Sequence, residues 1–398
     1  MLSGRKFRVW FTPEQEYKAG EFGDACRYVW NVGLEQRREY RRRRASIGYV
    51  QQARELAAAK PENPWLKAAP GHALQQTLMD LDRACLRCGP FAVQWRSTRR
   101  WMPSFRFPEG RKIAVERLSR RWGRAKLPKL GWVKFRMSRA LGGPVRSATI
   151  SRSGNYWYIA FLVEDGTCTP ERHSRPGTAI GLDRGVVTAV ACSDGVMFNR
   201  AFTRSGEGRR YRRLEQRLAR QRKGSGNRMR TLASMRAVRG RERARRADFV
   251  AKTAGALVTK NALVVLEDLR IRNMTQSARG SLAAPGAKVA QKAGLNRAIL
   301  GKGWNQLEVA LISAARYTGS RVLKVPAAHT SQKCSRCGYV DSKSRESQAR
   351  FRCTRCRYTV NADVNAALNV LAAGRAVTAC GDLGVARSVK QEPLALTG

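Results

Sequence analysis

Two cysteine pairs, Cys334-Ser-Arg-Cys337 and Cys353-Thr-Arg-Cys356, stand fifteen residues apart. They constrain the fold of this chain more than any other feature. Short thiolate pairs at this separation fold against each other as two knuckles around one tetrahedral Zn2+, a zinc ribbon. Four thiolates leave the ion no open position for water, so the zinc is structural. The run Asn361-Ala-Asp-Val-Asn-Ala-Ala-Leu-Asn369 follows at once and starts a helix with Asp363 in its first turn. A ribbon set just before an acidic helix start points to a catalytic carboxylate, whose partners are expected elsewhere in the chain.

Two such partners fall at special places. Thr178-Ala-Ile-Gly-Leu-Asp183 reads as a strand ending in Asp183. Segments 186–192 and 196–198, joined at Asp194-Gly195, read as two more strands, antiparallel to it. Two strongly basic helices follow, one with Tyr211, Leu214 and Leu218, the other with Met229, Leu232 and Met235. Lys223-Gly-Ser-Gly-Asn227 breaks them. Ala262-Leu-Val-Val-Leu266 is a wholly apolar strand that runs into Glu267-Asp268. A helix with Trp304, Leu307 and Leu311 stops near Gly319, Arg321-Val-Leu-Lys-Val325 is a further strand, and the ribbon and last helix come after it.

That succession is the order of an RNase H-like α/β sheet, in which strand ends assemble a site from distant parts of the sequence. Each acid alone has a structural reading. Asp183 before Arg184-Gly185 shapes a turn, Glu267 ends a solvated strand, and Asp363 caps a helix. Taken in fold order beside a ribbon, the three read as a cluster for two-metal phosphodiester hydrolysis with Mg2+ or Mn2+. Such chemistry needs no histidine base, which suits a chain with only His72, His173 and His329.

The first half is less explicit. Arg5-Lys-Phe-Arg-Val-Trp-Phe11 alternates as a strand, and Thr12-Pro13 starts a helix with Phe22, Cys26, Trp30 and Leu34 at helical spacing. The basic run 41–44 continues on it. Leu74, Leu78, Leu81, Cys85 and Cys88 form a second helical stripe, which makes the third CxxC pair, Cys85 and Cys88, core residues before redox or metal-binding ones. Residues 148–152 and 156–163 read as a hairpin turning at Ser153-Gly-Asn155, and 166–176 as a linker.

The charge names the partner. In 398 residues there are 77 Lys and Arg against 29 Asp and Glu, a net charge of +48. A hydrophobic fraction of 43% is that of a folded chain of two or three domains, so the excess cation is not a sign of disorder. It calls for a polyanion, nucleic acid before a membrane surface. Arg209, Arg210, Arg212, Arg213, Arg217, Arg220, Arg241, Arg243, Arg245 and Arg246 are the candidates to line its channel, since few acids are interleaved among them. Trp10, Trp122 and Trp132 offer rings for base stacking but are read as core. No signal-like start and no apolar run of about 18 residues is visible. With the six remaining cysteines scattered, the chain is expected in a reducing, cytoplasmic setting.

Gly181-Leu-Asp-Arg-Gly185, Val265-Leu-Glu-Asp-Leu269 with Asn273-Met274, Lys292-Ala-Gly-Leu-Asn296, Thr330-Ser-Gln-Lys-Cys-Ser-Arg-Cys-Gly338 and Ala362-Asp-Val-Asn-Ala-Ala367 resemble the TnpB family. These are insertion-sequence proteins regarded as ancestral to type V CRISPR effectors. The resemblance runs from about residue 5 to residue 380 and is looser in the first half, where Leu74-Gln-Gln-Thr-Leu78 and Leu81-Asp-Arg83 carry it. It implies a monomeric, prokaryotic, nucleoid-associated protein. A transposon-derived guide RNA directs it to double-stranded target DNA beside a short adjacent motif, where one RuvC site cuts both strands.

By the resemblance, Asp183, Glu267 and Asp363 are the metal-binding triad, and Cys334, Cys337, Cys353 and Cys356 hold zinc. The domains it implies are a wedge strand (1–12), a helical recognition lobe (13–100), the β-barrel-like remainder of the wedge (101–176), the first part of the RuvC domain (177–326), the ribbon insertion (327–360), the last RuvC helix (361–380) and a disordered tail (381–398). Many relatives carry His-Asp-Arg-Asp where this chain has Val360-Asn-Ala-Asp363, which alters the surroundings of the last acid but keeps the acid itself. Three other readings are open. They are a guide-RNA-dependent repressor that binds without cutting, a transposase joining DNA ends without RNA, and a basic zinc-ribbon binder.

Overall fold

The period-two segment at the start of the chain forms strand β1 (Leu2–Trp10). Helix α1 (Pro13–Arg42) begins in a capping box, in which the Gln15 amide donates to Thr12 Oγ1 and the Thr12 amide to Gln15 Oε1, both at 3.2 Å. The helix buries Phe22, Cys26 and Leu34 and stops at Arg42, so Arg43 and Arg44 lie beyond it. Two short helices, α2 (Tyr49–Ala59) and α3 (Pro64–Ala68), precede α4 (Gly71–Cys88). The stripe on α4 buries Leu74, Leu78, Leu81 and Cys85, but Cys88 is exposed in the last turn before Gly89. The core assignment of Cys88 is therefore wrong, because the apolar stripe is buried only as far as Cys85 and the last turn of α4 is left open to solvent.

The computed structural model describes residues 1–98, 101–281, 283–326 and 328–379, and Cys380 and the tail 381–398 lie outside them. The chain divides into a unit of residues 1–167 with 216–240 and a second of 168–215 with 241 onward. Besides its helices the first unit holds β2 (Ser104–Phe107), β3 (Ala114–Arg117), β4 (Trp122–Leu127), β5 (Gly131–Arg136), β6 (Val145–Ser153) and β7 (Tyr156–Glu164). They join β1 in a seven-stranded sheet of order β2-β6-β7-β1-β5-β4-β3. Its inner face carries Phe7, Phe135 and Phe161, all fully buried or nearly so. Strand alternation sends Trp10, Trp122 and Trp132 to the opposite face, so none of the three is a core residue.

In the second unit β8 (Ala179–Asp183), β9 (Val190–Cys192) and β10 (Met197–Phe198) are antiparallel neighbours, with residues 186–189 outside the strand expected there. Helices α5 (Ser205–Ala219) and α6 (Gly226–Lys260), whose residues 216–219 and 226–240 belong to the first unit, lead to β11 (Leu263–Glu267). Then come α7 (Ile271–Met274), α8 (Val289–Lys302), α9 (Trp304–Thr318) and β12 (Arg321–Val325). The sheet order is β10-β9-β8-β11-β12, with β8, β11 and β12 parallel and Leu182 opposite Leu266. The ribbon hairpin β13 (Arg350–Arg352) and β14 (Thr359–Asn361) runs straight into α10 (Ala362–Ala379).

Helix α10 lies on β8 and β11 at a separation that only glycine allows. A Cβ at Gly181 would collide with the Ala367 carbonyl and the Leu371 amide, and one at Gly374 would strike the Val265 side chain. Backbone cannot yield as a side-chain tip can. Gly181→Ala is expected to push α10 off the sheet, at a cost of about 1–3 kcal/mol. Thermal melting would show this as a fall of several degrees, and an unchanged transition would contradict the packing described.

Candidate active site and zinc centre

Leu266 pairs with Leu182 across the parallel strands, so the next residues, Glu267 and Asp183, emerge side by side at the carboxyl ends of β11 and β8. Asp363 joins them from the first turn of α10. The amides of Asp363 and Val364 donate to Asn361 Oδ1 at 2.9 and 3.3 Å, so Asn361 is the capping group and the Asp363 carboxylate is left for other work. Glu267 and Asp363 are buried and Asp183 is half-buried.

The neighbouring acid Asp268 is exposed and is held by Lys324 Nζ at 3.0 Å. Glu267 instead accepts from Thr330 Oγ1 at 2.6 Å. The structure thus separates two adjacent acids into one that is neutralised at the surface and one that faces inward.

Burial, then the charges of Glu267 and Asp363, push the Asp183 carboxyl up to about 7. Burial likewise raises Glu267, against the pull of Thr330 and Arg184, and raises Asp363, against that of Arg345. Three carboxyls all raised by burial, one of them also by the charges of the other two, form a site short of positive charge. The cations already present are Arg345, 3.3 Å from Asp363 Oδ1, and the buried Arg184. Arg184 spends its guanidinium hydrogen bonds on the Glu267 carbonyl and on Glu308 at 3.4 Å rather than on the three carboxylates. Hard divalent cations with oxygen ligands fit such a donor set.

The sulfurs of Cys334, Cys337, Cys353 and Cys356 all lie within 4.8 Å of one another, with Cys334–Cys356 at 3.7 Å and Cys337–Cys353 at 3.6 Å. Four ligands about 2.3 Å from one Zn2+ would stand ~3.8 Å apart, so the group fits the ion with little movement. The two knuckles are built alike. The amides of Gly338 and Arg357 return to the carbonyls of Cys334 and Cys353, and both residues take positive φ, +77° and +61°. Among the described residues the cysteines are the group of metal-ligating side chains drawn this tightly together; the three acids are more open.

The ribbon is tied to the acids. Asn365 Nδ2 donates to the Lys333 carbonyl at 2.8 Å and its Oδ1 accepts the Ser335 amide at 3.0 Å. Asn369 Nδ2 donates to the carbonyls of Thr330 and Lys333 at 2.9 and 2.6 Å. These partners, together with Arg184 and Arg345, are missing from the residues picked out by sequence. Arg184 and the two asparagines sit inside the motifs, whereas nothing local marks Arg345.

Of the ten arginines, Arg209, Arg210, Arg212, Arg213, Arg217, Arg220, Arg241 and Arg243 are exposed. Arg245 and Arg246 are only half-exposed and are engaged within the protein. Arg245 binds Glu207 and the Phe202 carbonyl, and Arg246 binds the carbonyls of Leu300 and Gly301. Arg241, although exposed, also pairs with Glu207, at 2.9 Å. Each satisfies a group on another segment, a duty that charge counting does not reveal.

Residues 160–278 match a family model described as "Probable transposase", residues 304–370 one described as "Cas12f1-like, TNB domain", and residues 1–46 a "Helix-turn-helix domain". In this chain residues 1–46 form a strand and one unbroken 30-residue helix. The chain is 37% identical over 398 residues to "Putative RNA-guided DNA endonuclease InsQ" of Escherichia coli (strain K12), covering 98% of this chain and 97% of that protein. It is 30% identical to "Putative RNA-guided DNA endonuclease" of Streptomyces pristinaespiralis, covering 98% and 95%. Its fold is similar to the protein in a Cas12f1-sgRNA-target DNA complex solved by cryo-electron microscopy. The TM-score there is 0.55 at 11% identity, over 93% of this chain and 98% of that one. Among the described residues no helix is long and apolar enough to cross a membrane.

Proposed function

The chain belongs to the TnpB family, and on that premise we propose that Asp183, Glu267 and Asp363 are the metal-binding triad of an RNA-guided DNA endonuclease, in an RNase H-like domain of the RuvC kind. The observation that carries this reading is the convergence of two buried carboxylates and one half-buried, all raised by desolvation, at the ends of β8, β11 and α10. Burial of like charges is costly unless cations complete the site.

Bound Mg2+ or Mn2+ would supply an activated water and neutralise charge at the phosphate and the leaving oxygen. The protein's part is to fix the donors. Thr330 orients Glu267, Asn361 frees Asp363 from capping, and the parallel register places Asp183 beside Glu267. Arg345 stands at the edge of the cluster from the ribbon side, where it offsets part of the negative charge. The four ribbon cysteines hold a zinc that shapes the site and takes no part in the reaction.

Guide RNA and target DNA are the partners, and the net charge of +48 is the physical match to both polyanions. The exposed arginines of α5 serve backbone contact of the kind that ignores sequence. In the same reading residues 1–12 with 101–176 make the wedge, 13–100 the recognition lobe, 177–326 with 361–380 the nuclease and 327–360 its insertion.

The test is cleavage of duplex DNA by protein purified with its co-expressed RNA. We expect cutting only where the DNA matches the RNA, only with Mg2+ or Mn2+, and with no joined products. Cleavage without RNA, or strand-transfer products, would favour a transposase and overturn the reading.

A further inference from the structure

The outward face of the seven-stranded sheet is a lattice of rings and cations. Lys6, Arg8 and Trp10 alternate along β1 with the buried Phe7 and Val9. Cross-strand pairing brings Tyr158 opposite Arg8 and Lys134 opposite Trp10. Trp132 and Arg124, on β5 and β4, extend the row.

The contacts are regular. Arg8 lies between Tyr156 and Trp10, 3.6 and 4.4 Å from their centroids. Lys6 lies 4.5 Å over Tyr158, Lys134 4.8 Å over Trp122, and Arg124 4.4 Å over Trp132. Trp10 and Trp122 meet edge to face at 4.9 Å. A core would not hold such residues, and a merely soluble surface would not gather five large rings. Trp10 keeps 36% of its surface exposed and Tyr156 44%. The strand acids of this face, Glu116 and Glu164, are already taken, Glu116 by Arg124 at 2.7 Å and Glu164 by Arg146.

We propose that this face is a stacking platform for an unpaired stretch of the guide RNA, an inference that rests on the RNA-guided reading above. Charge complementarity selects a polyanion. The rings select bases that are free to stack, because a duplex offers phosphates to the cations but encloses its base faces. Guanidinium planes such as that of Arg8 stack on bases as rings do, so a base entering the row meets a flat partner on either kind of side chain. RNA is favoured over DNA by the hydroxyl row alongside, with Ser151 opposite Tyr158 and Ser153 opposite Tyr156, which suits contact with 2′-hydroxyls.

The experiment compares RNA-free full-length protein with a Trp10→Leu, Trp132→Leu variant. Fluorescence anisotropy would read binding of a short unstructured oligouridylate, its DNA counterpart and an RNA duplex of equal length over a range of salt. The variant is expected to lose roughly tenfold in single-strand affinity per ring. Its salt slope and duplex affinity should be unchanged, because the phosphate contacts remain. Equal loss for strand and duplex, no loss at all, or a preference for DNA would overturn the proposal.

Ultraviolet crosslinking of the oligouridylate to the wild-type protein guards against a misfolded variant. Adducts on peptides bearing Tyr156, Tyr158 or Trp10 are expected, and adducts confined to other peptides would overturn it too. Guided cleavage by the wild type at saturating RNA reads the underlying function separately, so failure of the platform leaves that result standing.

Discussion

Replacing Asp183 by Asn is expected to abolish target cleavage, by at least about 10³-fold, while making the metal-free protein more stable above neutral pH. The first effect follows from the proposed role of Asp183, since the change would remove one of the carboxylates assigned to hold the catalytic cations, whose charge stabilisation is worth several kcal/mol. The second follows from linkage. Burial, with help from Glu267 and Asp363, raises the Asp183 carboxyl from 3.8 to about 7 in the folded chain, so the folded state keeps a proton that the unfolded state has lost. Between those two values stability falls as pH rises. Above about 7 the full penalty applies, on the order of 4 kcal/mol for this group. Asparagine keeps the shape and can still accept the Arg184 amide, but carries no charge to bury.

Thermal melting in EDTA should therefore show the wild type losing stability from pH 5 to pH 8 and Asp183→Asn losing less. Mg2+ should restore the wild type at pH 8 and leave the variant unmoved. A variant that still cuts, or that melts below the wild type at pH 8 without metal, would remove Asp183 from the site. The stabilising half of this result separates a functional acid from a structural one, since a turn-shaping Asp would leave its Asn variant neutral or weaker.

The three acids were legible because each closes an element whose pattern is strong, such as the apolar run 262–266 before Glu267 or the helix start at Asp363. The partners that orient them were not. Arg345 reaches Asp363 only through the folding of a ribbon, and no periodicity of the sequence encodes that reach. The short helices α2 and α3 escaped for a related reason, since together they bury only Gln52, Leu56 and Leu66 and so leave little stripe.

The tryptophans show a different error. Arg8 and Trp10 share the even positions of β1 while Phe7 and Val9 occupy the odd and buried ones. The alternation itself placed Trp10 outside, and judging the residue by its apolar character overrode that signal. With the arginines the fault was reversed. Arg245 and Arg246 were judged by charge, and the structure uses them as donors to Glu207 and to backbone carbonyls.

Loss of the zinc proposed for the four cysteines is expected to disable cutting while leaving RNA binding in place. The ribbon's own core is Cys334, Phe351, Cys353 and Ala362, too small to stay folded without the metal, whose binding is worth about 10–16 kcal/mol in structural sites. Two acids depend on that fold. Thr330, on the stem entering the ribbon, holds Glu267, and Arg345 within it holds Asp363. Asn365 and Asn369 fasten α10 to the same stem through the carbonyls of Lys333 and Thr330. Asp183 feels the ribbon only through the charge of Arg345.

A Cys334→Ser, Cys337→Ser variant should lose its zinc and at least about 10²-fold in cleavage at saturating RNA. The Asn365→Ala, Asn369→Ala pair should keep the zinc and still cut slowly. It breaks only the fastening and leaves buried backbone groups unpaired, at about 1–3 kcal/mol each. Zinc content measured beside the cleavage rate distinguishes the two. If the cysteine variant cuts at the wild-type rate, the ribbon is not what positions these acids. If the asparagine pair cuts normally with zinc bound, α10 is held by its packing on Gly181 and Val265 alone.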